Sequence, residues 1–377
     1  MRTTRWFQIT ALLAGLSLFT AACADDEEPD VAADGETTET TAAEGEGTEE
    51  ESETEGGSEG EGGAEGFKAC QVTDLGGIDD RSFNQTAYEG ILRAEEELGA
   101  ESAFLESGGE EDYTTNIDAL IEQGCDLIVT VGFLLGDATQ AAAQDNPDQD
   151  FAIVDFAYDE PIDNVKPLLF DTDEAAFLAG YLAAGMTESG TVGTFGGINI
   201  LPVTEFMDGF LAGIEHHNEE KGTEVELLGW DGSDGLFTGD FEDQDKGRQT
   251  AQSLLDEGAD IIFPVAGPVG LGAAAAVRDA GESSMIWVDS DGCESAEEFC
   301  DLFLTSVLKN IDNAVFDAIE TAQAGELDGE PYSGTLENDG VGLADFNEFE
   351  DEVPQELKDE IDALRESVIA GDVTVGG

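Results

Sequence analysis

Residues 72–84 read Val72-Thr73-Asp74-Leu75-Gly76-Gly77-Ile78-Asp79-Asp80-Arg81-Ser82-Phe83-Asn84. A β-branched run stops at Asp74, and the pair Gly76-Gly77 lets the backbone turn tightly. Polar side chains and one aromatic follow where a helix should begin. A strand that ends in such a loop sets it at the carboxyl edge of a parallel sheet, where open α/β folds hold ligands.

The pattern continues outward from there. Apolar strand-like runs occur at 127–131, 151–155, 167–170, 191–195, 225–229, 260–265, 285–289 and 302–306. Helical periodicity fills the gaps at 84–98, 114–123, 137–144, 174–187, 203–220, 246–257, 270–280 and 310–324, and a last helix is expected over 354–370. Strict alternation of this kind predicts parallel sheets covered by helices on both faces. About 310 residues exceed what one such core holds, so two lobes are expected. Their boundaries are read as 67–172 with about 292–326 for lobe 1, and 173–291 with about 327–377 for lobe 2. Two similar lobes in tandem resemble a periplasmic-binding-protein architecture, which implies a ligand cleft between them.

The N-terminus reads as a targeting segment. Arg2 and Arg5 precede a short apolar stretch, Ile9 to Phe19, and then Thr20-Ala21-Ala22-Cys23. The stretch is too short for a membrane helix and fits a signal peptide over 1–22. The ending resembles a bacterial lipobox, with Cys23 as the lipidated residue. Residues 24–66 carry 18 acidic side chains, no Lys or Arg, and no Phe, Leu, Ile, Trp or Tyr. Such a segment has too little apolar surface to offset chain entropy and is expected to be a disordered, self-repelling spacer.

The remaining residues, 67–377, hold 70 Asp and Glu against 11 Lys and Arg, a formal net charge of −59. Nucleic acid is a poor partner for that field. A solvated acidic surface of this density resembles those of proteins from salty habitats. Beyond Cys23 four cysteines remain, an even number in an exported chain, which suggests two disulfides. Cys70 and Cys125 each adjoin an expected strand, and Cys293 and Cys300 flank one short loop, so the expected pairs are Cys70–Cys125 and Cys293–Cys300. Zinc is the weaker reading, since His216 and His217, expected on a helix surface, stand apart from all four. No cofactor is expected.

Several segments in order resemble one family. They include Val72-Thr73-Asp74 with Ser82-Phe83-Asn84-Gln85, Asp171-Thr172-Asp173-Glu174, Phe206-Met207-Asp208-Gly209-Phe210, Lys246-Gly247-Arg248, Ala266-Gly267, Val288-Asp289-Ser290-Asp291 and Lys309-Asn310. The series is similar to the basic membrane protein (BMP) lipoproteins of the purine-nucleoside-receptor type, over essentially all of 67–375. The resemblance implies a two-lobed type I periplasmic-binding-protein fold and delivery of purine nucleosides to an ABC permease. It further implies a protein held on the extracytoplasmic face of the cell membrane by acylated Cys23. By the same resemblance Phe83 and Phe206 sandwich the base, and Asp74 and Asn84 bond its edge. Asp155, Asp289 and Lys309 hold the ribose, while Gly267 and the stretch Gly270–Gly272 let backbone approach the ligand.

The residue chemistry agrees. Aromatic faces stack on a flat base for about 1–3 kcal/mol each, and carboxylates accept from vicinal hydroxyls. Asp155 and Asp289 end apolar strands, where an aspartate has no packing reason to be. Asp171 and Asp173 read as helix caps. Trp230 and Trp287 read as packing residues, and loop 231–245 as either pocket wall or acidic surface. Two other functions use the same residues. One is a sensor ectodomain for another small metabolite. The other is a nucleoside hydrolase, which would need metal-binding carboxylates around Asp79-Asp80.

Overall fold

The computed structural model describes residues 66–375. The signal segment, Cys23 and the acidic spacer up to residue 65 lie outside the described residues. Two six-stranded sheets carry the fold. The first contains β1 (Lys68–Thr73), β2 (Glu101–Leu105), β3 (Leu127–Val131), β4 (Asp150–Val154), β5 (Val165–Phe170) and β11 (Tyr332–Gly334). The second contains β6 (Thr191–Gly196), β7 (Glu226–Leu228), β8 (Ile261–Val265), β9 (Ser284–Asp289), β10 (Phe303–Lys309) and β12 (Val341–Leu343). Their orders are β2-β1-β3-β4-β5-β11 and β7-β6-β8-β9-β10-β12. All pairs are parallel except β10 with β12. Both lobes therefore repeat one doubly wound order, with switch points between β1 and β3 and between β6 and β8, where such sheets open a crevice.

Among the described residues ten α-helices cover the sheets: α1 (Phe83–Leu98), α2 (Glu110–Glu122), α3 (Gly136–Asp145), α4 (Thr172–Met186), α5 (Leu201–Lys221), α6 (Gln244–Asp256), α7 (Val269–Ala280), the short α8 (Gly292–Ser295), α9 (Ile311–Gln323) and α10 (Gln355–Ile369). Among the described residues no helix is long and apolar enough to cross a membrane. Central strands are buried along their whole length, as in Leu127–Val131 and Ile261–Val265, which is why they read as unbroken apolar runs. The three strands absent from the sequence reading explain themselves. β2 is a half-exposed edge, Glu-Ser-Ala-Phe-Leu, and β11 and β12 are three residues each.

The chain crosses between lobes three times: after β5, after β10, and between β11 and β12. The crossings are tied to one another. Asp171 N–H donates to the Gly334 carbonyl at 2.8 Å, and Asn310 N–H donates to the Gly340 carbonyl at 2.9 Å. This corrects the expected boundaries. Residues 292–309 stay in the second lobe because β10 pairs with β9. Only α9 from the 292–326 segment packs on lobe 1, against α1. β11 belongs to the first sheet because it pairs with β5.

Cys70 and Cys125 are joined, with Cα atoms 6.0 Å apart, across the neighbouring strands β1 and β3. Cys293 and Cys300 are joined across one loop, with Cα atoms 4.5 Å apart. Trp287 is fully buried in the second lobe. His217 is buried beneath the edge of Tyr181, at 5.0 Å between ring centres, rather than on the helix surface.

The helices α4 and α5 pack so closely that glycine is required. A Cβ on Gly180 would lie 2.1 Å from the Phe210 carbonyl oxygen, and one on Gly213 would lie 2.0 Å from that of Phe177. Both obstacles are backbone, which cannot swing aside. Gly213→Ala should therefore destabilise the protein by about 1–3 kcal/mol, as overpacking does, read as a lower denaturation midpoint with unchanged m. The surface charge makes a second expectation. Salt shortens the screening length from about 10 Å at 0.1 M to about 3 Å at 1 M. Because like charges dominate here, added NaCl should raise the thermal midpoint steadily. A midpoint that falls or stays level with salt would mean that the acidic surface does not oppose folding.

Candidate functional site

One cavity of about 570 Å³ of atom-free space opens between the lobes. Asp74, Phe83, Asn84, Asp155, Phe206, Gly267, Asp289 and Lys309, eight of the residues expected at a site, line it together with Asp80, Phe133, Ile200, Pro202, Val203, Phe241 and Val288. Most converge because they follow the carboxyl end of a strand or open the next helix. Asp74 follows β1, Phe133 follows β3 and Asp155 follows β4. Gly267 follows β8, Asp289 ends β9 and Lys309 ends β10.

The loop after β1 is organised by Asp80. Its Oδ1 accepts from the N–H groups of Ser82 and Gln85, both at 3.0 Å, and its Oδ2 accepts from Asn84 N–H at 2.9 Å. Asp80 thus satisfies free donors at the start of α1, the work of a capping residue. That occupies both oxygens and leaves Asp79-Asp80 unsuited to the metal site that a hydrolase would need. Among the described residues no group of three or more His, Cys, Asp or Glu could hold a metal ion. Asn84 Nδ2 donates to Asp74 Oδ1 at 2.9 Å and to Asp80 Oδ2 at 3.1 Å. Asn84 Oδ1 is buried without a partner. A buried acceptor thus stands unpaired beside the Asp74 carboxylate, within a residue that lines the cavity. Gly132 makes room for Asp74, since a Cβ there would lie 2.3 Å from Asp74 Oδ2.

Asp155 and Asp289 occupy equivalent places in the two lobes, and both have left-handed backbone, with φ of 65° and 68°. Non-glycine residues adopt this at a cost of roughly 1–3 kcal/mol and mostly where function requires it. Lys309 lies between the lobes, its side chain 2% exposed, and forms an ion pair with Asp155, whose side chain is 8% exposed. Its Nζ also lies 5.0 Å from the centre of the Phe83 ring, 5.2 Å from Phe170 and 5.7 Å from Phe206, a partly aromatic cage. Asp289 Oδ2 accepts from the Ser82 hydroxyl at 2.6 Å across the cleft.

This is an acid-rich pocket with a single buried ammonium. Burial pushes the Asp289 carboxyl up to about 6, although Lys309 and the Ser82 hydroxyl oppose the rise. Burial likewise raises Asp155 against the pull of Lys309, and holds Asp74 well above the carboxylate range against the Asn84 amide. The arrangement offers acceptors for several hydroxyl or N–H donors and flat apolar faces beside them.

Some expected roles shift. Phe206 is 2% exposed and packs its edge against Phe263 at 6.4 Å, so it is both floor of the cavity and part of the core. Phe241, which the sequence reading missed, borders the cavity from the loop before α6. Gly196 and Gly197 admit that loop. A Cβ on Gly197 would lie 2.3 Å from the Phe241 ring, and one on Gly196 would lie 2.6 Å from Phe237. The motif Gly196-Gly197 after a strand was the available signal. Loop 231–243 is thus pocket wall as well as acidic surface, tied down where Thr238 and Gly239 N–H donate to the Gly196 and Gly197 carbonyls. Gly270 and Gly272 serve packing instead of ligand approach. A Cβ on Gly270 would meet the Trp287 ring at 2.9 Å, and one on Gly272 the Gln244 carbonyl oxygen at 1.8 Å. Asp171 precedes α4 without a side-chain capping bond, while Asp173 Oδ1 accepts from Glu174 N–H at 3.0 Å.

With this geometry in view, the comparisons with known proteins are specific. A family model, Bmp, described as ABC transporter substrate-binding protein PnrA-like, matches residues 67–375. The chain belongs to the Bmp family. It is 32% identical over 331 residues to the CD4+ T-cell-stimulating antigen of Listeria monocytogenes, covering 82% of this chain and 88% of that one. It is 30% identical over 328 residues to the ABC transporter nucleoside-binding protein BmpA of Lactococcus lactis, with the same coverage. A crystal structure of ABC transporter solute-binding proteins from Aeropyrum pernix superposes with a TM-score of 0.74 at 28% identity, covering 82% of this chain and 92% of that one. This Bmp protein is accordingly a two-lobed substrate-binding protein of an ABC transporter, from a family of binding proteins and not enzymes. A small-molecule ligand and a permease partner follow from that membership.

The raised Asp289 carboxyl carries a signed consequence. A carboxyl whose folded pKa lies above its unfolded value of 3.8 contributes stability that is full below about pH 4 and lost as pH rises through about 6. Asp289→Asn, neutral at every pH, should therefore stabilise the ligand-free protein by about 1–3 kcal/mol at pH 7.5. The gain should vanish near pH 4. Denaturant melts at the two pH values read this directly, and a loss of stability at pH 7.5 would contradict it.

Proposed function

We propose that this protein captures purine nucleosides on the extracytoplasmic face of the cell membrane, held there by acylated Cys23, and passes them to an ABC permease. The observation that carries the ligand class is the cavity itself. It combines aromatic rings of both lobes with Asp155, Asp289 and Lys309 meeting at one point. A nucleoside has the matching parts: a flat base, N–H donors on its edge, and vicinal hydroxyls. A relative at 30% identity bears the name nucleoside-binding protein, which supports the same reading. Relatives from Pyrococcus abyssi and Borreliella burgdorferi are named as a lipoprotein and as basic membrane protein B, which supports the anchored location.

In this reading Phe83 stacks on the base from lobe 1, and Phe206 or Phe241 closes on it from lobe 2. Asp74 and the free Oδ1 of Asn84 accept from the base edge. Asp155 and Asp289 accept from the ribose hydroxyls, Lys309 donates to a ribose oxygen, and Gly267 keeps the wall low at the mouth of α7. The surplus of carboxylates over the one buried ammonium repels a phosphate, so nucleosides bind and nucleotides do not.

Isothermal titration after unfolding and refolding, to strip retained ligand, tests this. Inosine, guanosine or adenosine should bind with micromolar or tighter affinity, and inosine monophosphate at least tenfold more weakly. Phe83→Ala removes a stack of about 1–3 kcal/mol and should weaken binding by roughly 10- to 100-fold. Affinity should fall as pH drops below about 6, where Asp289 takes up a proton. Absence of heat with every nucleoside would remove this ligand assignment.

A further inference from the structure

We propose that Arg81 and Glu298 form a clasp that holds the two lobes closed, and that the Cys293–Cys300 disulfide is what presents Glu298 to it. The crossings that join the lobes lie at Asp171, Asn310 and Gly340 and are hydrogen-bonded to one another. At another contact between the lobes, Arg81 of lobe 1 reaches Glu298 of lobe 2, with Nη1 2.5 Å from Oε1. Beside it the Ser290 hydroxyl donates to the Arg81 carbonyl at 3.2 Å. Arg81 has a left-handed backbone, φ 59°, the strained conformation that carries both its carbonyl and its guanidinium to the other lobe. In a domain with 11 basic residues this placement of one is conspicuous.

Glu298 is held from behind. It lies inside the loop closed by Cys293 and Cys300, and Arg278 of α7 grips the same loop. The Arg278 guanidinium donates to Asp301 Oδ1 at 2.6 Å and to the Glu298 carbonyl, and covers the Phe299 ring at 4.4 Å. Without the disulfide the loop between Ala296 and Leu302 loses its covalent closure and the Glu298 carboxylate its fixed bearing. Arg81 and Glu298 also border a second cavity, which shares Asp80 and Pro268 with the first, so the clasp spans the outer end of the cleft.

The pair is half-exposed, and such pairs change equilibria modestly. The clasp acts after the lobes have met, so it slows opening and leaves entry alone. The test uses the purified protein and the variants Arg81→Glu, Glu298→Arg, their double charge swap, and Cys293→Ser with Cys300→Ser. The first readout needs no ligand: the radius of gyration from solution scattering, with hydrogen exchange of residues 76–82. Each single swap and the cysteine pair should enlarge the radius and speed exchange, and the double swap should return both toward wild type. The second readout, which rests on the nucleoside reading, is inosine release by stopped flow. It should quicken by about 2- to 5-fold in the single swaps with unchanged association, and recover in the double swap. If inosine does not bind, the scattering result alone decides the clasp. Singles that leave the radius unchanged, a double swap no better than the singles, or a cysteine variant indistinguishable from wild type would each overturn the proposal. So would equal acceleration of association and release.

Discussion

Lys309 is the only Lys or Arg buried among the described residues, and the site depends on where it sits. It ends β10 of the second lobe, yet its ion-pair partner, Asp155, belongs to the first. Removing charge from water is costly unless a partner and further polar contacts compensate. Only with the lobes together does this ammonium form its ion pair with Asp155. The closed cleft is thus favoured by a charge that an open one would leave unpaired by Asp155. The aromatic rings around Nζ serve the same end, since a cation near a ring face gives up less on leaving water.

Around that one cation the protein has gathered more carboxylates than it can neutralise. Asp74, Asp80 and Asp289 are all buried. Asp80 is satisfied by backbone N–H groups and shapes the loop. Asp74 and Asp289 have raised pKa values because their surroundings do not fully replace water. Groups left short of donors in a closed cavity are what a ligand rich in donors can satisfy. The cost is borne before binding, as is the left-handed backbone at Asp155 and Asp289.

The alternation of strands and helices was legible, because buried parallel strands and their covering helices differ in period. So were Asp155 and Asp289, ionisable groups at the ends of apolar runs, whereas the meeting of Asp74 and Lys309 with them was implied by the family resemblance. What was not legible depended on pairing across long distances. Residues 292–309 could go to either lobe until β10 is seen beside β9. β11 and β12, three residues each, have no periodicity to read. Gly270 and Gly272 looked like room for a ligand, whereas they make room for Trp287 and the α6 backbone. Phe241 sits in a loop whose composition, Asp-Gly-Ser-Asp-Gly, left pocket wall and acidic surface equally open. Only the absence of side chains at Gly196 and Gly197 brings it to the cavity.

The two lobes repeat one strand order, and the repetition decides which positions matter. In each, the switch point faces the other lobe, and in each the strand two places along ends in an aspartate with left-handed backbone. A ligand in the cleft meets two half-sites of similar construction. What breaks the symmetry is Lys309, present on one side only, and the acceptors Asp74 and Asn84 on the other. A symmetric ligand would waste that difference. One with hydroxyls at one end and N–H donors on a flat ring at the other uses all of it.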